Sequence, residues 1–597
     1  MTDPIRIANC SGFYGDRLSA AAEMVEGGPI DILTGDWLAE LTMLILAKNR
    51  LRDASTGYAK TFVAQMEQVM GTCLESGIKV VGNGGGLAPR ACADAVAGVA
   101  DRLGLTPRIA YIEGDDLVDR FDDLRAAGVD FAHLDTGAPL GDRQIMTANA
   151  YLGGWGITEA LDRDADIVIT GRVTDAALVV GPAAWHHGWS KTDWDALAGA
   201  VVAGHIIECG AQATGGNYAF FTEVPDLRHP GFPIAEVAAD GSSVITKHEG
   251  HGGLVSVGTV TAQLLYEIGA PAYANPDVTA RFDSIHLEQV GPDRVAVSGV
   301  RGDSPPPTTK VAVNYVGGYR STTTMLLTGL DIEAKAAVFE QALWDSFPGG
   351  REAFAETEVS LLRTDHADPA SNEAAMAQLR ITIKDPDERK VGRAFSSHIT
   401  ELGLANYPGL CAGPGSSGSY GVYWPAIVPA DVVYQEVVVG GRRTVVDPVL
   451  PPDPRHVARV PSPAVAGAKA DGPTERLPLG RLFGARSGDK GGNANLGVWA
   501  RSDPAYAWLA ATLTVDRLHH LLPDTAELTV TRHELPNLRA LNFVVEGLLG
   551  EGVAASSRTD PQAKSLGEYL RAKVVDVPVG LLNEHAPARE TTSTEQR

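Results

Sequence analysis

The sequence predicts an α/β protein with a mostly parallel sheet in a large N-terminal domain, an α+β subdomain and a small C-terminal α+β sandwich. From Ile5 onward, short apolar runs alternate with longer amphipathic or alanine-rich segments, which is typical of strands joined by crossover helices. Beyond Gly252 the pattern changes to apolar runs joined by Gly-Pro and Gly-Gly turns, which favours antiparallel strands. A segment rich in Pro and Ala then precedes a shorter final part.

These changes in composition set the domain boundaries. We predict an N-terminal α/β domain over residues 1–446, with the α+β subdomain at about residues 280–446. An extended linker follows over residues 447–478, then a small domain over 479–582 and a flexible tail over 583–597.

The length, composition and net charge of the chain exclude several classes of protein. The chain has 597 residues, of which 44% are hydrophobic and 21% charged, as expected of an ordinary globular protein. Its net charge of -24 argues against a nucleic-acid-binding surface. Five cysteines without a CxxC pair argue against a disulfide framework or a structural zinc site and suit a reducing compartment. The N-terminus lacks a signal peptide and no apolar run could span a membrane, so we expect a cytoplasmic protein.

The N-terminal strands each lead into a loop with polar or glycine residues. In a Rossmann-like sheet such loops gather ligands at the carboxyl ends of the strands. The loop Ser11–Arg17 follows the first strand, and its Asp16 and Arg17 could line a pocket or serve as a helix cap and a solvated charge. Asp36 follows the second strand, where an N-cap role is the preferred interpretation over catalysis.

The third loop contains Gly84, Gly85 and Gly86 and runs into Pro89, which suits the first position of a helix to Leu103. Free N–H groups at that helix start could bind a phosphate or carboxylate. The spacing departs from the dinucleotide-binding fingerprint, because Leu87 stands at the last glycine position. A nicotinamide cofactor is therefore not favoured.

Two further segments carry titratable side chains. Arg172 and Asp175 lie in the turn after the strand DIVIT, where they could form a structural ion pair or clamp an anionic ligand. A helix ending near Gly210 places His205, Glu208 and Cys209 on one face, a geometry suited to an acid/base pair or a metal. The alternative is a buried hydrogen bond between His205 and Glu208.

A metal site at this helix lacks an evident third ligand. His248, Glu249 and His251 could supply one only through tertiary folding. We therefore expect no bound metal and no other resident cofactor. The segment Pro408–Pro425 is predicted to be a long loop because of its many glycines and serines.

The stretch Ala485–Val498 is predicted to be a glycine-rich loop between strands at Leu479–Phe483 and Leu496–Trp499. Such a loop could hold an anion through Arg486 and Lys490 together with neighbouring polar and glycine residues, namely Asp489, Gly491 and Asn493. It is not a phosphate-binding Walker loop. The alternative is a hairpin that only turns the chain.

After the linker the predicted order is strand, helix, strand, strand, helix, strand, which indicates a ferredoxin-like sandwich. The predicted helices span Pro504–Leu513, Val515–Leu521 and Pro561–Lys573.

Seven motifs in a fixed order resemble the AtuA family, which is named for acyclic terpene utilisation. They are GFYGDR, DILTGDWLAELTM, GNGGGLAP, ITGRVTDAAL, GHIIECGAQATGGNY, GAPAYANPDV and ARSGDKGGNANLGV. The resemblance implies a large N-terminal domain followed by a small ferredoxin-fold domain. It also implies a setting in bacterial breakdown of citronellol- and geraniol-type acids as coenzyme A thioesters, alongside other enzymes of that pathway, without assigning catalytic residues.

The working hypothesis is an enzyme that acts on a branched or terpenoid acyl-CoA by proton abstraction or hydration. Glu208 would be the base and His205 its orienting partner, with Arg172 and Asp175 in the same site. The glycine turn at Gly84–Gly86 and the Arg486 to Asn493 segment would bind the thioester's anionic parts. The alternatives are a non-catalytic ligand-binding or scaffold subunit, and a metal-dependent hydrolase or lyase. A homo-oligomer is expected, and neither nucleic acid nor membrane as a partner.

Overall fold

The protein is described by a computed structural model that covers residues 2–452 and 472–583. The described chain forms two compact units, one made of residues up to 313, 423–553 and 562–583, and the other of 314–422 and 554–561. The middle of the predicted linker and the predicted tail from residue 584 lie outside the described residues. No helix in the described ranges is long and apolar enough to cross a membrane.

The secondary structure alternates along the first half of the chain and becomes strand-rich later. The strands are β1 (Ile5–Asn9), β2 (Ile32–Gly35), β3 (Lys79–Gly82), β4 (Ile109–Glu113), β5 (Ile145–Ala150), β6 (Ile167–Thr170), β7 (Pro233–Val237), β8 (Ser243–Lys247), β9 (Ala272–Ala274), β10 (Thr279–Arg281), β11 (His286–Gly291), β12 (Arg294–Ser298), β13 (Arg301–Asp303), β14 (Thr308–Thr328), β15 (Glu356–Leu362), β16 (Met376–Asp385), β17 (Cys411–Ala412), β18 (Ser416–Pro429), β19 (Gln435–Val439), β20 (Arg442–Val446), β21 (Thr474–Pro478), β22 (Gly484–Lys490), β23 (Asn493–Trp499), β24 (Val530–Leu535), β25 (Ala540–Val545) and β26 (Val574–Pro578). The helices are α1 (Ala20–Glu26), α2 (Glu40–Arg52), α3 (Lys60–Ser76), α4 (Pro89–Leu103), α5 (Phe121–Ala126), α6 (Trp155–Asp162), α7 (Ala177–His187), α8 (Trp194–Ile207), α9 (Val257–Leu264), α10 (Ile332–Ser346), α11 (Phe395–Glu401), α12 (Asp503–Thr512), α13 (Val515–Leu521), α14 (Leu566–Arg571) and α15 (Val579–Asn583).

The large sheet of the first unit is mixed. Its order is β11-β12-β8-β7-β1-β2-β3-β6-β4-β19-β20. The central strands β1, β2, β3, β6 and β4 are parallel, whereas the strands on both sides pair antiparallel. The predicted mostly parallel, Rossmann-like sheet is therefore wrong beyond this centre. In a dinucleotide-binding fold the strand order reverses at the first strand, so parallel strands lie on both sides of it. Here β2 and β3 follow on one side of β1, and antiparallel β7 lies on its other side.

The parallel centre positions the loops that matter for function. β2 and β6 are fully buried runs of Ile, Leu, Val and Thr, which suit strands covered on both faces. Helices α1, α3 and α4 pack on one face around buried Met24, Phe62 and Val96. The carboxyl ends of β1, β2, β3, β6 and β4 therefore share one edge of the sheet, and the loops predicted to bind ligands leave from that edge.

The second unit has its own core. Strands β15, β16 and the unit's part of β14 pair antiparallel, and α10 packs on them around Phe339, Leu343 and Leu379. The predicted loop at Pro408–Pro425 is wrong, because β17 and the first part of β18 lie within it. Main-chain pairing with β14 stabilises these strands, and their Ser- and Gly-rich composition did not reveal it because β propensity depends on context.

The C-terminal domain has a sheet of order β22-β23-β25-β24, antiparallel throughout, and a separate pair, β21-β26. α13 has the predicted bounds, but the predicted helix Pro561–Lys573 is limited to α14. β21 lies inside the predicted linker.

The predicted glycine-rich loop at Ala485–Val498 is wrong. β22 and β23 form a hairpin paired from Gly484–Trp499 to Lys490–Asn493, and Gly491 turns the chain in the left-handed region at φ +66°. Leu479–Arg481 is a short 3-10 turn instead of a strand. The hairpin alternative is the correct one for the backbone.

The hairpin packs on the segment after α9 through two glycines. A Cβ atom on Gly488 would overlap the Tyr266 ring, and one on Gly497 would lie 2.5 Å from the Leu265 Cβ. Neither glycine has a left-handed backbone. These two glycines therefore allow the hairpin to approach Leu265 and Tyr266 closely, and they are not needed for an unusual backbone conformation.

We predict that Gly497→Ala lowers the free energy of unfolding by about 1–3 kcal/mol, because the added methyl forces β23 away from Leu265. The control is Gly98→Ala in α4, where a Cβ meets nothing within 4 Å and the helix gains about 1 kcal/mol. Urea unfolding of both variants measures the difference. Equal stabilities of Gly497→Ala and wild type would contradict the packing.

Candidate active site

The loops after β1, β2 and β3 are joined by hydrogen bonds. The Asp36 N–H donates to the Ser11 carbonyl oxygen at 2.8 Å. The Asp36 carboxylate accepts from the Asn83 side-chain amide at 2.5 Å and from the Leu38 N–H at 2.8 Å. The predicted N-cap role of Asp36 is wrong, because α2 begins at Glu40 and its N-cap is Ala39. Asp36 instead faces the sheet edge.

Arg172 connects the loop after β6 to this edge. Its guanidinium donates to the Leu38 carbonyl oxygen, lies 3.2 Å from the Asp175 carboxylate and stacks 4.4 Å from the Tyr151 ring centroid. The ion pair between Arg172 and Asp175, one of the two alternatives considered from the sequence, is therefore present. The Arg172 side chain is 4% exposed and that of Asp175 is 25% exposed, but the Asp175 oxygen that faces Arg172 is buried.

His205 and Glu208 meet at the end of α8. His205 Nδ1 lies 3.2 Å from Glu208 Oε1, but the geometry is not that of a hydrogen bond, and neither His205 ring nitrogen has a hydrogen-bond partner among the described residues. The buried hydrogen bond considered from the sequence is thus not formed. Burial lowers the pKa of His205 to about 4, so the ring is neutral near pH 7.

Glu208 is buried, and charged groups act on its carboxyl. Burial raises its pKa well above the usual value, and the negative charges of Asp175 and Glu267 raise it further. Arg172 and Lys490 act in the opposite direction. Burial also raises the pKa of Asp36, and the negative charge of Asp175 raises it further. The site therefore contains carboxyl groups whose pKa values lie above their usual ones.

The C-terminal hairpin contributes to the same place. Lys490 Nζ donates to the Glu267 carbonyl oxygen at 2.9 Å and lies 6.0 Å from the Tyr273 ring centroid. Arg486 donates to the Gln212 side chain and stacks 4.1 Å from the Tyr266 ring. Of the cations predicted from the hairpin sequence, Lys490 thus acts on Glu208, and Arg486 contacts Gln212 and Tyr266.

The other predicted hairpin residues are placed differently. Asn493 accepts the Gly547 N–H at 2.9 Å, a contact within the C-terminal domain. Gly491 lies beside the Tyr423 ring, and Asp489 is partly exposed on β22.

The glycine turn after β3 is packed and internally bonded. The Gly85 N–H donates to the Thr170 carbonyl oxygen at 3.1 Å and the Gly86 N–H to that of Asn83 at 3.2 Å. A Cβ on Gly84 would overlap Phe62. α4 begins at Pro89 as predicted. The N–H groups of Gly85 and Gly86, however, form main-chain hydrogen bonds within the protein.

Four residues at the site were not predicted from the sequence: Asp115, Tyr151, Glu267 and Tyr273. Asp115 follows β4, and its position at the carboxyl end of a strand could have identified it from the sequence. Its carboxylate accepts the Arg172 N–H and the Asn149 side-chain amide, both at 2.8 Å. Glu267 has a left-handed backbone at φ +57°, a conformation that no residue pattern in the sequence predicts.

An apolar cleft borders the site at Tyr151. Its lining also includes Leu152, Trp155, Pro276, Val433, Pro448 and Val449. Asp277 is buried there, and burial raises its pKa to about 6.

The histidines considered as metal ligands lie in another environment. His248 Nε2 is 2.9 Å from the Met24 carbonyl oxygen, and the His248 and His251 rings contact each other. Within residues 2–452 and 472–583, no group of three or more His, Cys, Asp or Glu side chains has an arrangement that could hold a metal ion.

Comparison with protein families gives two matches. Residues 5–439 match the family described as acyclic terpene utilisation family protein AtuA. Residues 477–576 match the AtuA ferredoxin-like domain. No curated protein matches the chain. The two matches together contain Arg172, Glu208, Arg486 and Lys490.

Asp115 gives a test of the buried charges. Burial raises its pKa from 3.8 to about 7, so the folded protein keeps a proton that the unfolded chain releases, and wild type loses stability as the pH rises from about 4 to 7. Asp115→Asn keeps an acceptor for the Arg172 N–H and removes this loss. We predict that the free energy of unfolding of the variant, relative to that of wild type, rises by about 3 kcal/mol between pH 5 and pH 8, because about two pH units of the interval in which wild type loses stability lie above pH 5.

Urea unfolding of the variant and of wild type at pH 5 and at pH 8 measures this difference. The control is Asp101→Asn, at an exposed position of α4. A gain that does not grow with pH would contradict a buried, proton-holding Asp115.

Proposed function

We propose, from the premise that this chain belongs to the acyclic terpene utilisation family AtuA, that it is an enzyme that transfers protons on a branched or terpenoid acyl thioester. The observation that carries the proposal is the position of Glu208. A carboxyl group with a raised pKa lies beside a neutral histidine and within the influence of Arg172 and Lys490. Such an environment suits a general base that works near neutral pH.

The chemistry follows from these charges. The Glu208 carboxylate would take a proton from a carbon activated by the thioester carbonyl, and the electrons of the broken C–H bond would form an enolate. The negative charge on the enolate oxygen needs donors that are already in place. Arg172 and Lys490 are held by carbonyl oxygens of Leu38 and Glu267, so little reorganisation is needed.

Neutral His205 supports the base without competing for the proton. A charged imidazolium 3.2 Å from Glu208 would stabilise the carboxylate and weaken it as a base. Because His205 stays neutral to about pH 4, Glu208 keeps its raised pKa over the physiological range.

The surroundings suit both ends of an acyl-CoA substrate. The cleft at Tyr151 offers apolar walls to the branched chain. Arg486, on the hairpin, offers a planar guanidinium that suits phosphate oxygens. Hydration of a conjugated double bond would use the same base to activate water, and it is the second form of the proposal.

We predict that Glu208→Gln lowers solvent deuterium incorporation into 3-methyl-branched 2-enoyl-CoA thioesters by a factor of about 100 or more, because the amide cannot accept the proton. Mass spectrometry of the thioester after incubation in heavy water measures this exchange. Glu288→Gln, at an exposed position of β11, is the matched control. Unaltered exchange in Glu208→Gln would remove the base assignment.

Wild type that binds these thioesters in a thermal shift assay but catalyses no exchange would favour the non-catalytic ligand-binding alternative.

The cleft gives a second prediction. Val433→Trp fills apolar space beside Tyr151, so it should raise KM for thioesters with long branched chains by about tenfold and leave KM for a four-carbon thioester nearly unchanged. Steady-state exchange rates over a series of chain lengths measure the effect. An equal change for short and long chains would show that the cleft does not hold the chain.

A further inference from the structure

Two glycines at the start of α6 admit polar side chains from distant parts of the chain. A Cβ atom on Gly153 would overlap the carboxyl group of Asp277, and one on Gly156 would overlap the carboxamide of Gln435. Neither glycine has a left-handed backbone. The two glycines therefore make room for Asp277 and Gln435 and are not needed for an unusual backbone conformation.

Hydrogen bonds from the main chain of this segment fix both side chains. The Gly154 N–H donates to Asp277 Oδ2 at 2.8 Å, and the Gly156 N–H donates to Gln435 Oε1 at 3.1 Å. Each side chain binds the helix through one oxygen and carries a second polar atom, Oδ1 in Asp277 and Nε2 in Gln435. Asp277 is 2% exposed and Gln435 is 6% exposed, and both line the apolar cleft beside Tyr151. One part of the cleft wall is therefore polar.

Trp155, which lies between the two glycines, adds a third polar atom to this wall. Its side chain also lines the cleft, and the residue is 9% exposed. The indole Nε1 is buried and has no hydrogen-bond partner among the residues that the structure describes. A buried donor without a partner costs free energy, and a ligand that offers an acceptor recovers that cost. The indole N–H therefore indicates an acceptor atom in the bound ligand.

The three side chains together favour one functional group. The Trp155 indole and the Gln435 amide are donors. Burial raises the pKa of Asp277 to about 6, so its carboxylate is an acceptor above that pH. A hydroxyl group donates one hydrogen bond and accepts two, so it can pair with all three side chains. A carboxylate would be repelled by Asp277, a ketone would offer it no hydrogen, and a hydrocarbon end would pair with none of them.

We propose that the cleft recognises a hydroxyl group on the acyl chain of the substrate, at the end remote from the thioester. The inference rests on the proposed function, because it takes the acyl thioester as the substrate. Tyr151 lines the cleft and stacks on Arg172 of the proposed active site, so a chain that passes Tyr151 brings its far end towards Trp155 and Asp277. The substrate class is a branched acyl-CoA with a hydroxyl group at the chain end.

Binding of matched thioesters tests the inference without relying on turnover. Isothermal titration calorimetry at about pH 8, where Asp277 is ionised, compares 3-methyl-branched 2-enoyl-CoA thioesters that carry a terminal hydroxyl with the same thioesters without it, over a series of chain lengths. At the chain length that reaches Trp155, we expect a Kd lower by a factor of about ten or more for the hydroxylated thioester, because the hydroxyl pairs with buried polar atoms.

The outcomes separate this inference from the proposed function. Equal Kd values for the two thioesters at every chain length would show that the polar wall binds only water, which would overturn the inference and leave the proposed function intact. Wild type that binds neither series would defeat the proposed function and the inference with it.

Trp155→Phe removes the indole N–H and keeps an aromatic ring in the wall. We expect the ratio of the two Kd values to fall by a factor of about ten, with little change in the Kd of the thioester without a hydroxyl. The control is Trp499→Phe on β23, since the buried Trp499 Nε1 likewise has no partner among the described residues; its ratio should match that of wild type. Equal weakening of both thioesters by Trp155→Phe would indicate a packing role alone and would overturn the inference.

Asp277→Asn is the second variant. Its side-chain oxygen can still accept the Gly154 N–H, but its amide presents a donor to the cleft in place of an acceptor. The hydroxyl would then face three donors, so we expect the preference for the hydroxylated thioester to fall by a factor of about ten or more. A preference that survives in both Asp277→Asn and Trp155→Phe would contradict the assignment of this wall.

Discussion

The structure depends on one constraint: ionisable groups buried together at the carboxyl edge of the parallel strands must compensate one another. A buried carboxylate without a partner costs several kcal/mol. Asp36, Asp175 and Glu208 are carboxyl groups in one region, with Arg172 as the buried cation of the large domain. Burial raises the pKa of Asp36 and that of Glu208, which favours the neutral forms of these carboxyl groups where cations are few. Groups that hold protons for this reason are also ready to release and accept them.

The C-terminal domain supplies the remaining compensation. Lys490 reaches the segment after α9 and lowers the pKa of Glu208, while Asn495 and Asn542 bind the main chain of that segment. The close approach of Gly488 and Gly497 makes this contact possible. The site is therefore shared between the parts of the chain that match the AtuA family and its ferredoxin-like domain.

The sequence predicted what local patterns control. Helix α4, with Pro89 at its start, has the predicted bounds, and the loops after the parallel strands meet at one edge because the strand–helix alternation requires it. The proximity of Glu208 and His205 follows from their spacing at the end of α8. The antiparallel strands at the edges of the large sheet were not assigned to that sheet, because their pairing through β7 and β19 depends on distant segments.

The residues that sequence reasoning misplaced share another cause. The stretch Ala485–Val498 is predicted to be a loop because glycines usually end strands, yet Gly488 and Gly497 lie within strands and leave room for neighbouring side chains. Glu267 was missed because its backbone conformation and its orientation are imposed by Asn495 and Lys490, more than two hundred positions away in the chain.

The central claim is that Glu208 remains a neutral carboxyl group at a pH where an ordinary glutamate is ionised. Infrared difference spectroscopy of wild type against Glu208→Gln at about pH 6, above the usual glutamate pKa of about 4.3, measures this directly. The account predicts a protonated-carboxyl stretching band in wild type that is absent from the variant and insensitive to bulk salt. A wild-type spectrum that shows only an ionised carboxylate for Glu208 at this pH would contradict it.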